Sequence, residues 1–190
     1  MITIEQRIKV LFLKYGFALG GILLALGIFT YYLITKISTS PILFVAAPIF
    51  LSLFIPIIIT VLFCFTGRKQ IGGYWNFKQA TTGIFIMFIT AYVIQFIGKD
   101  IVFDKFVEPN NMVNTQTAAI NAKTTILKQR NTDQKIIDNN VAEMQKDFAV
   151  QKSATIGSTI QGFVISILFV FVFALIFGSL FKKDPPVYAS

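Results

Sequence analysis

Four long apolar segments constrain this chain more than any other feature of its sequence. They cover residues 15–34, 41–66, 81–98 and 162–181. Each is long enough to cross a hydrocarbon core of about 30 Å, which takes roughly 17–25 helical residues. The fourth contains fifteen Phe, Ile, Leu or Val residues, and at about −0.4 kcal/mol each these favour insertion by roughly −6 kcal/mol. The sequence therefore predicts an all-α membrane protein with four transmembrane helices.

The composition excludes most soluble alternatives. Of the 190 residues, 55% are hydrophobic and 14% are charged, whereas a soluble domain averages about 25% charged residues. A soluble domain of this length could not bury so much apolar surface in one core, and a disordered chain would not contain it. We therefore expect residues 1–190 to form a single integral membrane domain.

The distribution of basic residues predicts the orientation in the membrane. Eight basic and two acidic residues flank the predicted spans on the side of the two termini, whereas the long loop on the other side has eight basic and seven acidic residues. Positive charge near membrane ends is retained in the cytoplasm. We expect a multi-pass protein of the bacterial inner membrane with both termini cytoplasmic. The net charge of +8 then favours membrane lipids, and not nucleic acid, as partners.

The loop 99–161 between the third and fourth spans is polar and should be extracytoplasmic. Val113, Ile120 and Leu127 recur every seven residues, which indicates a helix over 112–130. Pro109 should end any helical extension of the third span, because the residue before a proline disfavours the helical conformation.

A second helix is predicted in the same loop. Asn131 or Thr132 can cap it, with Asp133 in its first turn. Its apolar stripe consists of Ile137, Val141, Met144 and Phe148. The two stripes could bury each other in a helical hairpin, the second could dock an envelope partner, or the loop could be partly disordered.

The residue types needed for common catalytic and metal sites are missing. The sequence has no His, so Ser-His-Asp, Cys-His and His-x-x-x-His arrangements are impossible. Its single Cys64 lies in the second span, where a small apolar side chain packs well. No Asp or Glu lies inside a predicted span. We expect no enzyme activity, no catalytic residues, no metal site and no cofactor.

Polar and helix-breaking residues at membrane depth leave a transport function open. Pro48 and Pro56 either kink the second span or open it to bind a cation through freed carbonyls. Gln95 is the candidate polar residue at depth. It could hydrogen-bond to another helix or contact a substrate.

Small residues predict where helices pack closely. Gly16 and Gly20 form a G-x-x-x-G pair in the first span, with Gly27 seven residues further on, and Ala174 and Gly178 form a similar pair in the fourth. Such pairs let helix backbones approach, either within one bundle or in a homo-oligomer.

The inner loop 67–80 should lie along the membrane interface. Tyr74, Trp75, Phe77 and Lys78 are amphipathic or basic and are the predicted interfacial anchors. Gly72 and Gly73 permit a turn here, and no phosphate-binding glycine motif is present.

Four short motifs resemble a known family. They are Lys-Tyr-Gly at 14–16, Phe-Lys-Gln-Ala at 77–80, Glu-Pro at 108–109 and the lysine pair at 182–183. In the order and spacing of these four motifs, the chain resembles the uncharacterised bacterial inner-membrane family DUF4199. The resemblance implies four transmembrane helices with a large loop between the third and fourth, and it implies no established activity.

These observations leave three functional hypotheses. The first is a non-enzymatic accessory or scaffold subunit of an envelope assembly. The second is a small transporter or channel. The third is an accessory or enzyme of lipid-linked glycan metabolism, which would have to use Asp100, Asp104 or Glu108 at the end of the third span.

Overall fold

The computed structural model describes residues 3–152 and 156–185. Within these ranges the secondary-structure elements are all helices. Within these residues, four stretches are long and apolar enough to cross a membrane, which confirms the predicted all-α class with four candidate membrane spans. We call them the first to fourth spans: Ile4–Ile37, Pro41–Gln70, Phe77–Val107 and Ile160–Phe181. Following the predicted orientation, the end of the bundle near residues 4 and 181 is called the inner end, and the opposite end the outer end.

The helices have the following bounds. The α-helices are α1 Ile4–Tyr32, α2 Pro41–Ile49, α3 Ile55–Gln70, α4 Phe77–Gln95, α5 Asn111–Gln129, α6 Gln134–Lys152 and α7 Ile156–Phe181. Three wider π-helical segments, Leu33–Ile37, Phe50–Phe54 and Phe96–Val107, continue the first three spans. Residues 153–155 of the predicted outer loop lie outside the described residues.

Capping boxes fix the starts of α1 and α4. Thr3 accepts the Gln6 backbone N–H at 3.3 Å, and the Gln6 side chain accepts the Thr3 N–H at 3.0 Å. Asn76 and Gln79 make the same reciprocal pair at 2.9 and 3.0 Å. Because these pairs satisfy backbone donors that water would otherwise bind, both helices begin before the apolar segments predicted from hydropathy.

The second span stays helical through its prolines. A π-helical turn, Phe50–Phe54, lies between Pro48 and Pro56, and the Ile55 N–H bonds to the Phe50 carbonyl five residues earlier. A proline removes one backbone donor and its ring clashes with the carbonyl four residues before it. The wider turn before Pro56 moves that carbonyl away and keeps the segment helical.

The third span lies at the centre of the bundle. In the most apolar stretch of the third span, 33% of the residues are buried inside the protein. In the corresponding stretch of the second span only 6% are buried. α1 packs along one side of α4 and α7 along another, whereas α3 packs on α1. The core therefore forms around α4, and the second and fourth spans present most of their apolar side chains outward.

The helical extension of the third span ends before Pro109, as the sequence predicts. The span itself continues to Val107, past its predicted end at residue 98. Its π-helical segment stops at Val107, and Glu108 before Pro109 has φ −130° and ψ 72°. These angles lie outside the helical region, as expected for a residue that precedes proline. The chain then turns into α5.

The junction of α5 and α6 corrects the predicted cap. Asn131 has φ 53° and ends α5, with the Thr132 N–H bonded to the Leu127 carbonyl at 3.1 Å. Asp133, which was expected in the first turn of α6, instead precedes it and accepts the Lys135 N–H at 2.8 Å. Asparagine adopts the left-handed conformation more readily than most residues, so Asn131 serves the end of one helix and Asp133 the start of the next.

Candidate functional site

A hydrogen-bonded cluster joins the outer ends of the first and third spans to α5. The Tyr31 hydroxyl donates to Glu108 Oε2 at 3.3 Å and accepts from Asn114 Nδ2 at 2.9 Å. Tyr31 is 5% exposed, and its ring meets Phe103 edge to face at a centroid distance of 5.3 Å. We call Tyr31, Glu108 and Asn114 the outer cluster. It holds α5 against the spans through one phenol, one carboxylate and one amide.

The other carboxylates near the outer cluster differ in their partners. Asp104 accepts a hydrogen bond from the Asn111 amide in the first turn of α5. Asp100 lies 3.9 Å from the ammonium group of Lys99, and both side chains are partly exposed. Two of the three carboxylates considered for catalysis, Asp104 and Glu108, thus accept hydrogen bonds that position α5.

The apolar stripe of α6 is buried unevenly. Ile137 is 2% exposed, whereas Val141, Met144 and Phe148 are only partly buried. Phe148 lines a cavity of about 380 Å³ together with Met112 and Thr115 of α5. The two helices therefore lie side by side, but the hairpin in which their stripes bury each other stays a prediction, because Val113 of the α5 stripe is 52% exposed.

α5 also packs on the outer ends of the first two spans. Its buried Ala122 lines, with Ser38 and Phe44 among others, a cavity of about 340 Å³ at the connection between those spans. α6 packs mainly on α5. The outer helices are thus anchored through α5 and present α6 outward.

A cleft at membrane depth contains the predicted polar residue. Gln95 lies among side chains of all four spans around a cavity of about 260 Å³. Pro56 and Thr60 come from the second span, Tyr92 is one turn before Gln95, and the rest of the lining is apolar. The Gln95 Nε2 donates to the Gly20 carbonyl at 3.3 Å, so the side chain hydrogen-bonds to a neighbouring helix.

The structure places both small-residue pairs against the third span. A Cβ at Gly16 would lie 2.6 Å from the Thr90 Cβ, and one at Gly178 would lie 3.0 Å from the Thr81 Cα. Gly20 meets Ala91 in the same way, and Ala174 is fully buried. A Cβ at Gly27 would make only contacts of 3.7 Å or more, the nearest to Lys99, so this glycine is not required for close packing.

Trp75 was predicted to be an interfacial anchor, but the structure buries it inside the bundle. It is 1% exposed, its ring lies 5.3 Å from that of Phe12, and its indole N–H donates to the Phe181 carbonyl. Its backbone exchanges two 2.9 Å hydrogen bonds with Lys183. The inner loop therefore folds into the bundle at Trp75 and fixes the end of the fourth span, so this tryptophan is not available to lipid headgroups.

The other three predicted anchors, Tyr74, Phe77 and Lys78, are exposed at the inner end. Tyr74 has the Lys183 ammonium 5.4 Å from its ring centroid. Their positions allow contact with lipid, and their anchoring role stays a prediction. Cys64 is fully buried as a free thiol, in keeping with a packing role.

The sequence did not indicate the contacts that Tyr31, Asn114 and Arg68 make. Arg68 lies over the Phe65 ring and donates to the Phe181 carbonyl at 3.5 Å. Tyrosine near a span end suggests an interfacial position, but its partners 77 and 83 residues away have no local signal. Within 3–152 and 156–185, no group of three or more His, Cys, Asp or Glu side chains is placed to hold a metal ion.

Comparison with known proteins finds a match between this sequence and a protein family. The family model described as a protein of unknown function, DUF4199, matches residues 14–183. The match begins at Lys14, within the first span, and ends at Lys183, after the fourth. No curated protein and no solved structure matches the chain.

Proposed function

The chain belongs to the DUF4199 family, and from that premise we propose that it is a non-enzymatic scaffold subunit of an envelope assembly in the bacterial inner membrane. In this proposal both termini are cytoplasmic and α6 is the docking surface for an envelope protein. The observation that carries it is the position of α6, which is held at the outer end through α5 and exposes its remaining surface.

The side-chain contacts support a structural role for the outer helices. Asn111 of α5 donates a hydrogen bond to Asp104, and Asn114 of α5 donates one to the Tyr31 hydroxyl. Tyr31 in turn donates to Glu108, just before α5. A helix held in this way is pre-organised, so less conformational entropy is lost when a partner binds to its neighbour. Ile136 of α6 is 51% exposed and supplies apolar surface for such a contact.

The experiment uses site-specific photo-crosslinking in native membranes. A photoreactive residue replaces Ile136 in the full chain, and the control replaces Gln145, which is also exposed on α6. Nine residues separate the two positions, so they face opposite sides of the helix. We expect a crosslinked species of defined mass from position 136 and much less from position 145.

Affinity purification in mild detergent provides the second measurement. A crosslinked species of twice the chain mass would identify a homo-oligomer, and a heavier or lighter adduct would identify a different subunit. Both would support a scaffold. Recovery of a lone species from both positions, together with no copurifying protein, would contradict the proposal.

The cleft around Gln95 favours a small transporter or channel as the second candidate. It places an amide, a phenol and a hydroxyl in an otherwise apolar cavity at membrane depth, and polar groups there are typical of substrate pathways. If the cleft is a pathway, Gln95→Leu should abolish substrate flux in reconstituted vesicles, whereas the exposed control Gln161→Leu should retain it. Equal flux in the two variants would exclude Gln95 from the pathway.

A further inference from the structure

A basic cleft separates the inner ends of the first two spans. Arg7, Val10, Leu11 and Lys14 of α1 form one wall, and Gln70 and Ile71 at the end of α3 form the other. The cavity has a volume of about 220 Å³. We call these six residues the inner cleft.

Helical spacing brings two cations to this cleft. Arg7 and Lys14 are seven residues apart, so they share a face of α1 with their Cα atoms about 10.5 Å apart along the axis. Both are exposed and have side chains long enough to converge over Val10 and Leu11. Among the residues that the structure describes, no carboxylate lines the inner cleft. Glu5 and Lys9 line a separate cavity on the side of α4.

The opposite wall is compatible with an anion. The end of a helix exposes carbonyl groups, which repel negative charge. Here the Gly73 N–H bonds to the Arg68 carbonyl at 2.8 Å and the Gly72 N–H to the Lys69 carbonyl at 3.3 Å. The two glycines have φ of 86° and 111°, which side-chain-bearing residues rarely adopt. Two of the terminal carbonyls are thus occupied, and the exposed Gln70 amide is an additional donor.

Apolar surface continues from the inner cleft toward the middle of the first span. Phe17 follows Lys14 by three residues on the same side of α1 and is 60% exposed. Gly21 follows Lys14 by seven residues, and a Cβ there would meet no atom within 4 Å. This face of α1 therefore has basic side chains at its inner end and open apolar surface next to them. Such a surface matches an amphiphile better than a soluble anion.

We propose that the inner cleft binds the phosphate of an anionic phospholipid, with the lipid's acyl chain along Phe17 and Gly21. Arg7 and Lys14 bind the phosphate oxygens, and Gln70 donates a hydrogen bond to the headgroup. Basic pockets between transmembrane helices are typical sites for anionic headgroups. The lipid comes from the leaflet on the side of the chain termini.

Native mass spectrometry of the full chain in mild detergent tests this proposal. The probes are dioleoyl phosphatidylglycerol and dioleoyl phosphatidylcholine, which have the same acyl chains but differ in net headgroup charge. We expect phosphatidylglycerol to bind preferentially. The double variant Arg7→Gln/Lys14→Gln should raise its Kd about thirtyfold, whereas the control Lys9→Gln should change it less than about twofold.

Three results would overturn the proposal. They are equal binding of the two lipids, an equal loss in the Lys9→Gln control, and displacement of phosphatidylglycerol by millimolar inorganic phosphate, which would indicate a soluble anion as the occupant. A helical circular-dichroism melt checks that the double variant folds. If it does not fold, Arg7→Lys/Lys14→Arg keeps both charges and should keep the lipid preference, and its loss would equally contradict the proposal.

Discussion

The two ends of the bundle are held together by different kinds of contact. At the inner end, Trp75 is buried against Phe12 and bonds through its backbone to Lys183. At the outer end, Tyr31, Glu108 and Asn114 join α5 to the spans through side-chain hydrogen bonds. Burial of a large aromatic ring contributes more to stability than a few partly solvated hydrogen bonds. The inner end should therefore unfold with the whole bundle, and the outer end should open separately.

The largest expected effect tests the inner end. Trp75→Ala removes a fully buried ring and the bond to the Phe181 carbonyl, which should cost about 3–5 kcal/mol of the free energy of unfolding. A circular-dichroism melt in detergent should show one transition at a lower temperature. Tyr74→Ala is the matched control, because Tyr74 is 40% exposed and should cost less than about 1 kcal/mol.

A melt of the Trp75→Ala variant that matches the wild type would contradict the view that this ring fixes the inner end. Two separate transitions would show that the spans and the inner loop unfold independently.

A smaller effect is expected at the outer cluster. Tyr31→Phe keeps the ring but removes the hydroxyl that donates to Glu108 and accepts from Asn114. The loss should be about 1–2 kcal/mol and should be local. Hydrogen exchange measured by mass spectrometry should accelerate in α5 while exchange in α1 and α4 stays unchanged.

Tyr74→Phe at the inner end is the control and should leave exchange in α5 unaltered. If Tyr31→Phe lowers the melting temperature of the whole protein as much as Trp75→Ala does, the distinction between the two ends is wrong.

The smallest effect concerns the turn between α5 and α6. Asn131→Ala places a residue with a β-carbon in the left-handed conformation, at φ 53°, and should cost about 1 kcal/mol. Asn131→Gly removes that cost and should retain or slightly raise stability. The two variants are compared by the hydrogen-exchange rates of the α6 backbone amides. Equal rates in both would show that the turn does not limit the stability of the outer helices.

The sequence was sufficient to predict the spans because bilayer insertion depends on local hydrophobicity. It also predicted that any helical extension of the third span ends at Pro109, since proline restricts its neighbour through local sterics. Trp75 was wrongly predicted to lie at the lipid interface, because tryptophan occurs both at membrane interfaces and in protein cores and its identity alone does not distinguish them. Only its contacts with Phe12 and Phe181, far away in the sequence, distinguish the two positions.

The outer cluster could not be predicted for the same physical reason. Tyr31 and Glu108 are separated by 77 residues, and hydrogen bonds between distant side chains leave no periodic pattern. The start of α6 was predicted at Asn131 or Thr132, with Asp133 already in the helix, because asparagine suits both the start and the end of a helix. The small-residue pairs indicated close packing, but only the structure shows that the first and fourth spans both pack on the third.

The most direct test of the account is the accessibility of α6 from outside intact cells. Cys64→Ala removes the native thiol, and Asn139→Cys or Asp184→Cys then introduces one exposed thiol on α6 or near the C-terminus. With a membrane-impermeant maleimide that reaches the periplasm, we predict labelling at position 139 in intact cells and at position 184 only after lysis. Labelling at 139 only after lysis would contradict the placement of α6 opposite the termini.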